Sequence, residues 1–264
     1  MDKPHKPKAP EWALFPLKEF VNQSEHLATV VRLSVQGMSM AKALPKAMEA
    51  LSHADREELD TSLHQKAVRD AEFVEKERSE GFPVVHGQAV LSLWSLLELA
   101  VKDLVAVWIR KNPDLLLKPP ISNLKMKIGD YLTIDEDEKY LFFVDIIERD
   151  IGAGIKHGIN RFESLTNAID LSGLTPRIMN DSFYEFCQVR NALAHQGNRV
   201  DRKLVDNCPW LNLEVGAELR VSCEMFQKYQ KVSLSYAILL ICRTAEKFGV
   251  DMKSEAQSIL EAYA

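Results

Sequence analysis

The stretch FYEFCQVRNALAHQGNRVDRK, residues 183–203, decides how the rest of the chain is interpreted. Its apolar side chains recur at three- and four-residue steps, which is the spacing of one helix face. These side chains belong to Phe183, Phe186, Val189 and Leu193. Gly197 supplies a stop signal just after His195. The pattern therefore predicts a helix whose last turns carry Arg190, Asn191 and His195.

The three polar side chains at this helix end differ in direction. Asn191 and His195 are four residues apart and share a face. Arg190 is five residues from His195 and lies about 140° away from it around an ideal helix. One regular helix therefore does not aim all three groups at one atom. Either the last turn unwinds, or a second copy of the site completes it.

The hexapeptide RNALAH, residues 190–195, resembles the Arg-x4-His motif, often Arg-Asn-x3-His, of the HEPN superfamily. This superfamily consists of helical proteins and includes many bacterial ribonucleases of toxin and antiphage systems. The context adds to the resemblance, because an aromatic-bearing helix precedes the motif and Gly197 and Asn198 follow it. A long apolar helix that carries Glu98 lies far upstream. The resemblance covers residues 84–250.

The resemblance implies an all-α fold, with a HEPN-like helical bundle as its main domain. We expect four parts along the chain. They are a flexible arm at residues 1–14, an N-terminal helical extension at 15–80, the HEPN-like helical domain at 84–250 and a C-terminal tail at 251–264.

The N-terminal extension contains three predicted helices. Two of them cover residues 15–36 and 38–51 and are separated near Gly37. The third covers residues 53–80 as one long amphipathic helix, with Asp55 as its candidate N-cap.

The most apolar segment is VVHGQAVLSLWSLLELAVKDLVAVWIRKNP, residues 84–113, which predicts a buried central helix that ends near Asn112 and Pro113. Glu98 stands inside it, and an ionised carboxylate in such a place needs a cationic or hydrogen-bonding partner. Arg190 is the candidate partner, since arginine suits a partly buried carboxylate. The alternative is that Glu98 lies at the solvent edge and pairs with Lys102, four residues on.

A change of pattern follows the motif. Residues 212–223 alternate between apolar and polar side chains around Gly216 and Ala217. This alternation predicts a short β-hairpin with a two-residue turn. The final apolar helix is predicted at residues 225–248, so the hairpin would lie near the C-terminal helix of an otherwise helical protein.

Charge is distributed unevenly in the sequence. The net charge of −5 argues against a general nucleic-acid coat, which needs clustered lysine and arginine. Around the motif, however, four cations face only one carboxylate, Asp201. We expect the segment after the motif to bind RNA through Asn198, Arg199, Arg202 and Lys203. The alternative is a solvated helix end, since cations suit helix C-termini in any case.

Cysteine spacing and hydropathy bound the class of protein. The four cysteines are far apart, with no Cys-x2-Cys pair and no histidine at ligand spacing, so we expect free thiols and no metal site. The N-terminus lacks the apolar core of a signal peptide. No apolar run reaches the ~20 residues that cross a bilayer. We therefore expect a cytoplasmic protein that does not enter a membrane.

Two functions of different class are compatible with these residues. The first is a metal-independent endoribonuclease without a cofactor, which the catalytic branch of the HEPN family implies. RNA carries its own nucleophile in the 2′-hydroxyl, so such an enzyme needs a proton acceptor and a cation for the phosphate. His195 is the acceptor, Arg190 offers a forked set of donors to the phosphate, and Asn191 orients either His195 or the phosphate. Glu98 completes the set of candidate catalytic residues.

The second function is a non-catalytic binding or assembly module, as in family members that keep the fold without nuclease activity. Solvent access to Arg190 and His195 separates the two, because a nuclease must present both to RNA. For the nuclease we expect a homodimer that brings two motifs together, an RNA substrate and a regulatory or antitoxin protein.

Overall fold

The computed structural model describes residues 7–55, 60–119, 121–136, 138–153 and 156–264. Within these ranges the chain forms helices and no β-strand, so the predicted all-α class is confirmed. The α-helices are α1 (Glu11–Ala41), α2 (Leu44–Asp55), α3 (Thr61–Ser79), α4 (Pro83–Lys111), α5 (Ile128–Thr133), α6 (Lys139–Asp150), α7 (Asn160–Asn167), α8 (Arg177–His195), α9 (Arg202–Asn207), α10 (Cys223–Glu246) and α11 (Lys253–Ala262). Short 3-10 helices occupy Pro113–Leu117, Ile121–Asn123 and Pro209–Leu211. A search of the described helices found none long and apolar enough to cross a membrane.

The helix α4 is the centre of the fold, as the sequence predicts. It packs against α1, α6, α7, α8 and α10. Pro83 stands in its first turn, where a missing N–H costs nothing, and Asn112 ends it. Leu97 and Leu104 are fully buried on α4, and Trp94 is 1% exposed. The end predicted near Pro113 is confirmed.

The N-terminal helices differ from the prediction. α1 runs straight through Gly37 and ends at Ala41, because an exposed glycine is tolerated inside a long helix. The helix also begins at Glu11, inside the predicted flexible arm. Leu17 and Phe20 are buried in the same core as α4. The first helix of the predicted extension therefore shares one hydrophobic core with α4.

The start of α3 corrects a second prediction. Asp55 is the last residue of α2, and the N-cap of α3 is Asp60. The Asp60 carboxylate accepts hydrogen bonds from the backbone N–H groups of Ser62 and Leu63, at 2.9 and 3.1 Å. The long helix predicted at residues 53–80 is therefore α3, which begins at Thr61, and residues 56–59 lie outside the described residues.

The C-terminal segment is also part of the core. α11 follows Gly249, whose φ of 75° suits a helix end that only glycine adopts without strain. Tyr263 is 8% exposed, and its hydroxyl lies 3.1 Å from the Ser235 hydroxyl of α10. The short helical tail predicted after Gly249 is therefore α11, and it packs against the core.

The predicted hairpin at residues 212–223 does not form. The chain after α8 turns back through Gly197 and Asn198, both at φ near 60°. Backbone bonds then join residues 198–200 to residues 216–219: Val200 N–H donates to the Ala217 carbonyl (2.9 Å), and Leu219 N–H donates to the Asn198 carbonyl (2.7 Å). A single antiparallel bridge results, in place of the hairpin, because the turn after the motif supplies the nearer backbone partner.

Candidate active site

A cleft of about 570 Å³ opens beside the end of α8. Its walls come from α4, the segment that leads into α7 with the first turn of α7, the last turns of α8, and the segment that runs from α8 into the first turn of α9. The lining residues are Trp94, Lys156, His157, Arg161, Cys187, Gln188, Arg190, Asn191, Ala192, His195, Gln196, Asp201 and Lys203. All three residues of the predicted motif therefore meet in one concave site.

Arg190, in the lining of this cleft, is held by two neighbouring side chains. Its guanidinium carbon lies 5.8 Å from the centre of the Trp94 ring, a distance typical of a cation–π contact. Its Nη1 donates to Asn191 Oδ1 at 3.0 Å. Arg190 remains half-buried, so solvent reaches part of its fork of donors. The indole and the amide fix the direction of the guanidinium at the cleft.

Asn191 acts on Arg190 and not on His195. Its carbonyl accepts the bond from Arg190, and its amide lies 3.8 Å from Cys187 Sγ, one turn earlier on α8. Cys187 is buried. Asn191 therefore does not orient His195, which is one of its two predicted roles, and instead it orients the guanidinium of Arg190.

His195 is the last residue of α8 and is exposed. The helix stays regular up to it, and Gln196 N–H still bonds to the Ala192 carbonyl at 3.1 Å. The last turn thus does not unwind, which removes one of the two geometries expected from the sequence. Within the described part of the chain, no side chain forms a hydrogen bond with the His195 ring. The ring is free to meet a ligand in the cleft.

The lining of the cleft is predominantly cationic. Arg190 and Lys203 face it without a carboxylate partner among the described residues. Lys156 donates from Nζ to the Ser164 hydroxyl at 2.7 Å and so keeps its charge uncompensated. Asp201 is the carboxylate of the lining, and its Oδ1 accepts the Leu204 N–H as the N-cap of α9. The site is suited to an anion.

The predicted partner of Glu98 is wrong. Glu98 Oε1 pairs with Arg161 Nη2 at 2.5 Å, and Oε2 accepts from Trp94 Nε1 at 3.1 Å. Neither Arg190 nor Lys102 is its partner. Glu98 lies behind the cleft and holds Arg161 and Trp94, which line it. It reaches Arg190 only through the indole on which Arg190 rests.

Arg161 and Glu148 extend this ion-pair network. Arg161 Nη2 also contacts Glu148 Oε1 at 2.6 Å, and Lys102 Nζ contacts Glu148 Oε2 at 2.7 Å and Asp145 Oδ1 at 3.0 Å. Burial alone would raise the pKa of Glu148, but the Lys102 hydrogen bond and the Arg161 charge outweigh it and lower that pKa. Burial acts to lower the pKa of Lys102, and its two carboxylate partners raise it on balance. The network fastens α4, α6 and α7 together behind the cleft.

One of the four residues predicted to bind RNA lies in the lining of the cleft, and three lie outside it. Lys203 lines the cleft. Arg199 and Arg202 are exposed but lie outside the lining, and Arg199 takes part in the backbone bridge to Glu218. Asn198 serves the turn, since its carbonyl accepts the Leu219 N–H.

Sequence reasoning missed Lys156, His157 and Arg161. They precede the motif by about thirty residues, and no local pattern links them to it. Gly158 is the signal that explains their position: its φ is +60°, and a Cβ there would lie 2.9 Å from the backbone nitrogen of Tyr184 on α8. Only glycine allows this approach, which brings the segment before α7 to the motif helix.

The described cysteines are all free. Burial, with the nearby Glu185 charge, raises the pKa of the Cys208 thiol to about 12. Among the described residues, no group of three histidine, cysteine, aspartate or glutamate side chains is arranged to hold a metal ion.

Comparison with known proteins adds no relative. A scan against protein-family models, a search of curated proteins and a search of solved structures each found no match.

Proposed function

We propose that this protein is a metal-independent endoribonuclease of the HEPN type. The observation that carries the proposal is the joint position of Arg190 and His195 in one cationic cleft, with Arg190 half-exposed and His195 exposed. A non-catalytic module has no need to keep both side chains open to a ligand. The accessible motif therefore favours the nuclease over the binding module.

The proposed reaction uses the 2′-hydroxyl of RNA as nucleophile. His195 takes the proton of this hydroxyl as its oxygen attacks the adjacent phosphorus. Arg190, aligned by Asn191 and Trp94, donates hydrogen bonds to the phosphate oxygens as their charge rises. Lys203 and Lys156 attract the backbone on either side of the reacting phosphate. The products are a 2′,3′-cyclic phosphate and a free 5′-hydroxyl.

The chain's own residues supply proton transfer and charge stabilisation, so the proposal requires no metal in the chemical step. A toxin or antiphage role, a regulatory or antitoxin partner and a cytoplasmic site of action belong to the proposal through the resemblance of the motif. They add nothing to the chemistry.

The test is cleavage of single-stranded and structured RNA by the purified full chain in excess chelator. We expect His195→Ala to lower the rate by about 10²–10⁴-fold, the usual contribution of a positioned general base. Arg190→Ala should cost about 10²–10³-fold, as for the loss of one transition-state donor. The matched control is Arg177→Ala at the exposed start of the same helix, where the side chain is 92% exposed and should not matter. Wild-type activity in His195→Ala, or an absolute need for magnesium, rejects the proposal.

We further propose a homodimer. Arg190 and His195 line the same cleft, but on a regular helix they lie about 140° apart. A twofold axis at this helix end would place the second motif beside the first. Light scattering at micromolar concentration measures the state directly. A monomer that cleaves RNA would show that one copy of the motif is sufficient.

A further inference from the structure

Cleavage through the 2′-hydroxyl requires two proton transfers. One proton leaves O2′ as the O2′–P bond forms, and another joins O5′ as the P–O5′ bond breaks. A single histidine performs only one of these at a time. Arginine is unsuited to either, because its guanidinium keeps its proton in proteins. The proposed reaction therefore needs a second proton carrier, and one copy of the motif contains only one imidazole. The second carrier is then either the partner's His195 in the proposed dimer or another group in the same cleft.

A second imidazole lines the same cleft. His157 belongs to the segment before α7, is exposed, and shares the lining with His195 and Arg190. Histidine is the side chain whose ordinary titration lies near neutral pH, whereas lysine as a class titrates near pH 10. The ammonium groups of Lys156 and Lys203 in the same lining are thus suited to neutralising phosphate rather than to exchanging protons.

The position of His157 is fixed by α8, the helix that carries the motif. Gly158 follows it directly and lies against the backbone of Phe183 and Tyr184, with no space for a Cβ. The His157 ring contacts the Tyr184 ring edge to face, with centres 6.0 Å apart and planes at 89°. An exposed loop histidine is not usually held at two points by the helix that carries the site.

We propose that His157 is the general acid of this site and His195 its general base, an inference that rests on the proposed ribonuclease function. As His195 receives the proton of the 2′-hydroxyl, the O2′–P bond forms and the P–O5′ bond breaks. The proton of His157 passes to the departing O5′, so that it leaves as a neutral hydroxyl. The two histidines then exchange protons with water and regain their starting forms. No oxidant, reductant or further reactant enters the balance.

The test uses a leaving group that needs no proton. One cleavage site is first mapped with the wild-type protein on an RNA oligonucleotide. The same oligonucleotide is then made with sulfur in place of the leaving 5′ oxygen, since a thiolate departs unprotonated. We expect His157→Gln to cleave ordinary RNA at least about 10²-fold more slowly than wild type. It should cleave the sulfur-substituted RNA close to the wild-type rate.

Two further variants complete the design. His195→Gln should be slow on both substrates, because the attacking hydroxyl is the same in both. His26→Gln, at an exposed histidine of α1, is the matched control and should be normal on both.

The possible outcomes separate the two proposals. If His157→Gln loses cleavage rate equally on both substrates, or on neither, the proposed role of His157 is overturned while the ribonuclease function stands. Rescue of His195→Gln by sulfur, without rescue of His157→Gln, overturns the assignment of acid and base. A wild-type protein that cleaves no RNA rejects the ribonuclease function itself.

Discussion

Replacing Glu98 by glutamine tests the ion-pair network behind the cleft. The change keeps the shape of the side chain and removes the charge that faces Arg161 at 2.5 Å. A hydrogen bond to a charged group contributes about 1.5–3 kcal/mol. The Glu98 side chain is 21% exposed and Arg161 keeps Glu148, so solvent screening and the remaining partner reduce the effect. We expect Glu98→Gln to lower the free energy of unfolding by about 1–2 kcal/mol.

The assay is urea unfolding at pH 7, with thermal unfolding as a second measurement. For a chain of this size, 1 kcal/mol shifts the melting temperature by about 2–4 °C, so the expected decrease is about 2–8 °C. The matched control is Glu136→Gln, because that side chain is 83% exposed and its ion-pair partner among the described residues is Lys139, at 3.2 Å. An exposed pair of this kind contributes at most about 0.5 kcal/mol.

A double-mutant cycle with Arg161→Gln isolates the pair itself. If Glu98→Gln changes stability no more than Glu136→Gln does, or if the cycle gives no coupling between Glu98 and Arg161, the network does not hold the cleft in the way we describe.

Three other predictions concern single residues. Gly158→Ala should destabilise the chain by at least about 1–2 kcal/mol, since alanine is strained at positive φ. Gly37→Ala inside α1 should instead stabilise it by about 0.5–1 kcal/mol. Urea unfolding of both variants measures these two changes of opposite sign. The lowered pKa of Glu148 means that its contribution to stability is present above its unfolded pKa of about 4.3 and is lost as the pH falls through the lower folded value. Unfolding measured from pH 7 to pH 3 should therefore depend less steeply on pH in Glu148→Gln, and equal slopes would contradict this. With the pKa of Cys208 raised to about 12, iodoacetamide at pH 8 should spare Cys208 and alkylate the partly exposed Cys223. Mass spectrometry of the alkylated native chain measures this order, and faster labelling of Cys208 would contradict the prediction.

Helix ends were predictable from the sequence where the signal is local. Pro83 and Asn112 bound α4, and Gly197 follows the end of α8, because proline, asparagine and glycine act on the backbone within a few residues. The neighbouring positions of Arg190 and His195 follow from the same helix. These features need no information from distant parts of the chain.

The partners across the fold were not predictable. Arg161, the partner of Glu98, is 63 residues away in sequence, and the contact depends on how α4, α6 and α7 pack. The approach of His157 to the motif depends on the space that Gly158 leaves against α8. The alternation at residues 212–223 arises because Leu219 and Val221 are buried in the core. It does not indicate which backbone segment forms hydrogen bonds with these residues. Tertiary packing decides each of these cases.

Blocking the proposed nucleophile, the 2′-hydroxyl of RNA, tests the proposed ribonuclease reaction most directly. The full chain is given an RNA and a copy of the same sequence with every 2′-hydroxyl methylated, both in excess chelator, and the product ends are identified by mass spectrometry. We expect the RNA to be cut to a 2′,3′-cyclic phosphate and a 5′-hydroxyl and the methylated copy to stay intact. Cleavage of the methylated copy, or products that carry a 5′-phosphate, would contradict it.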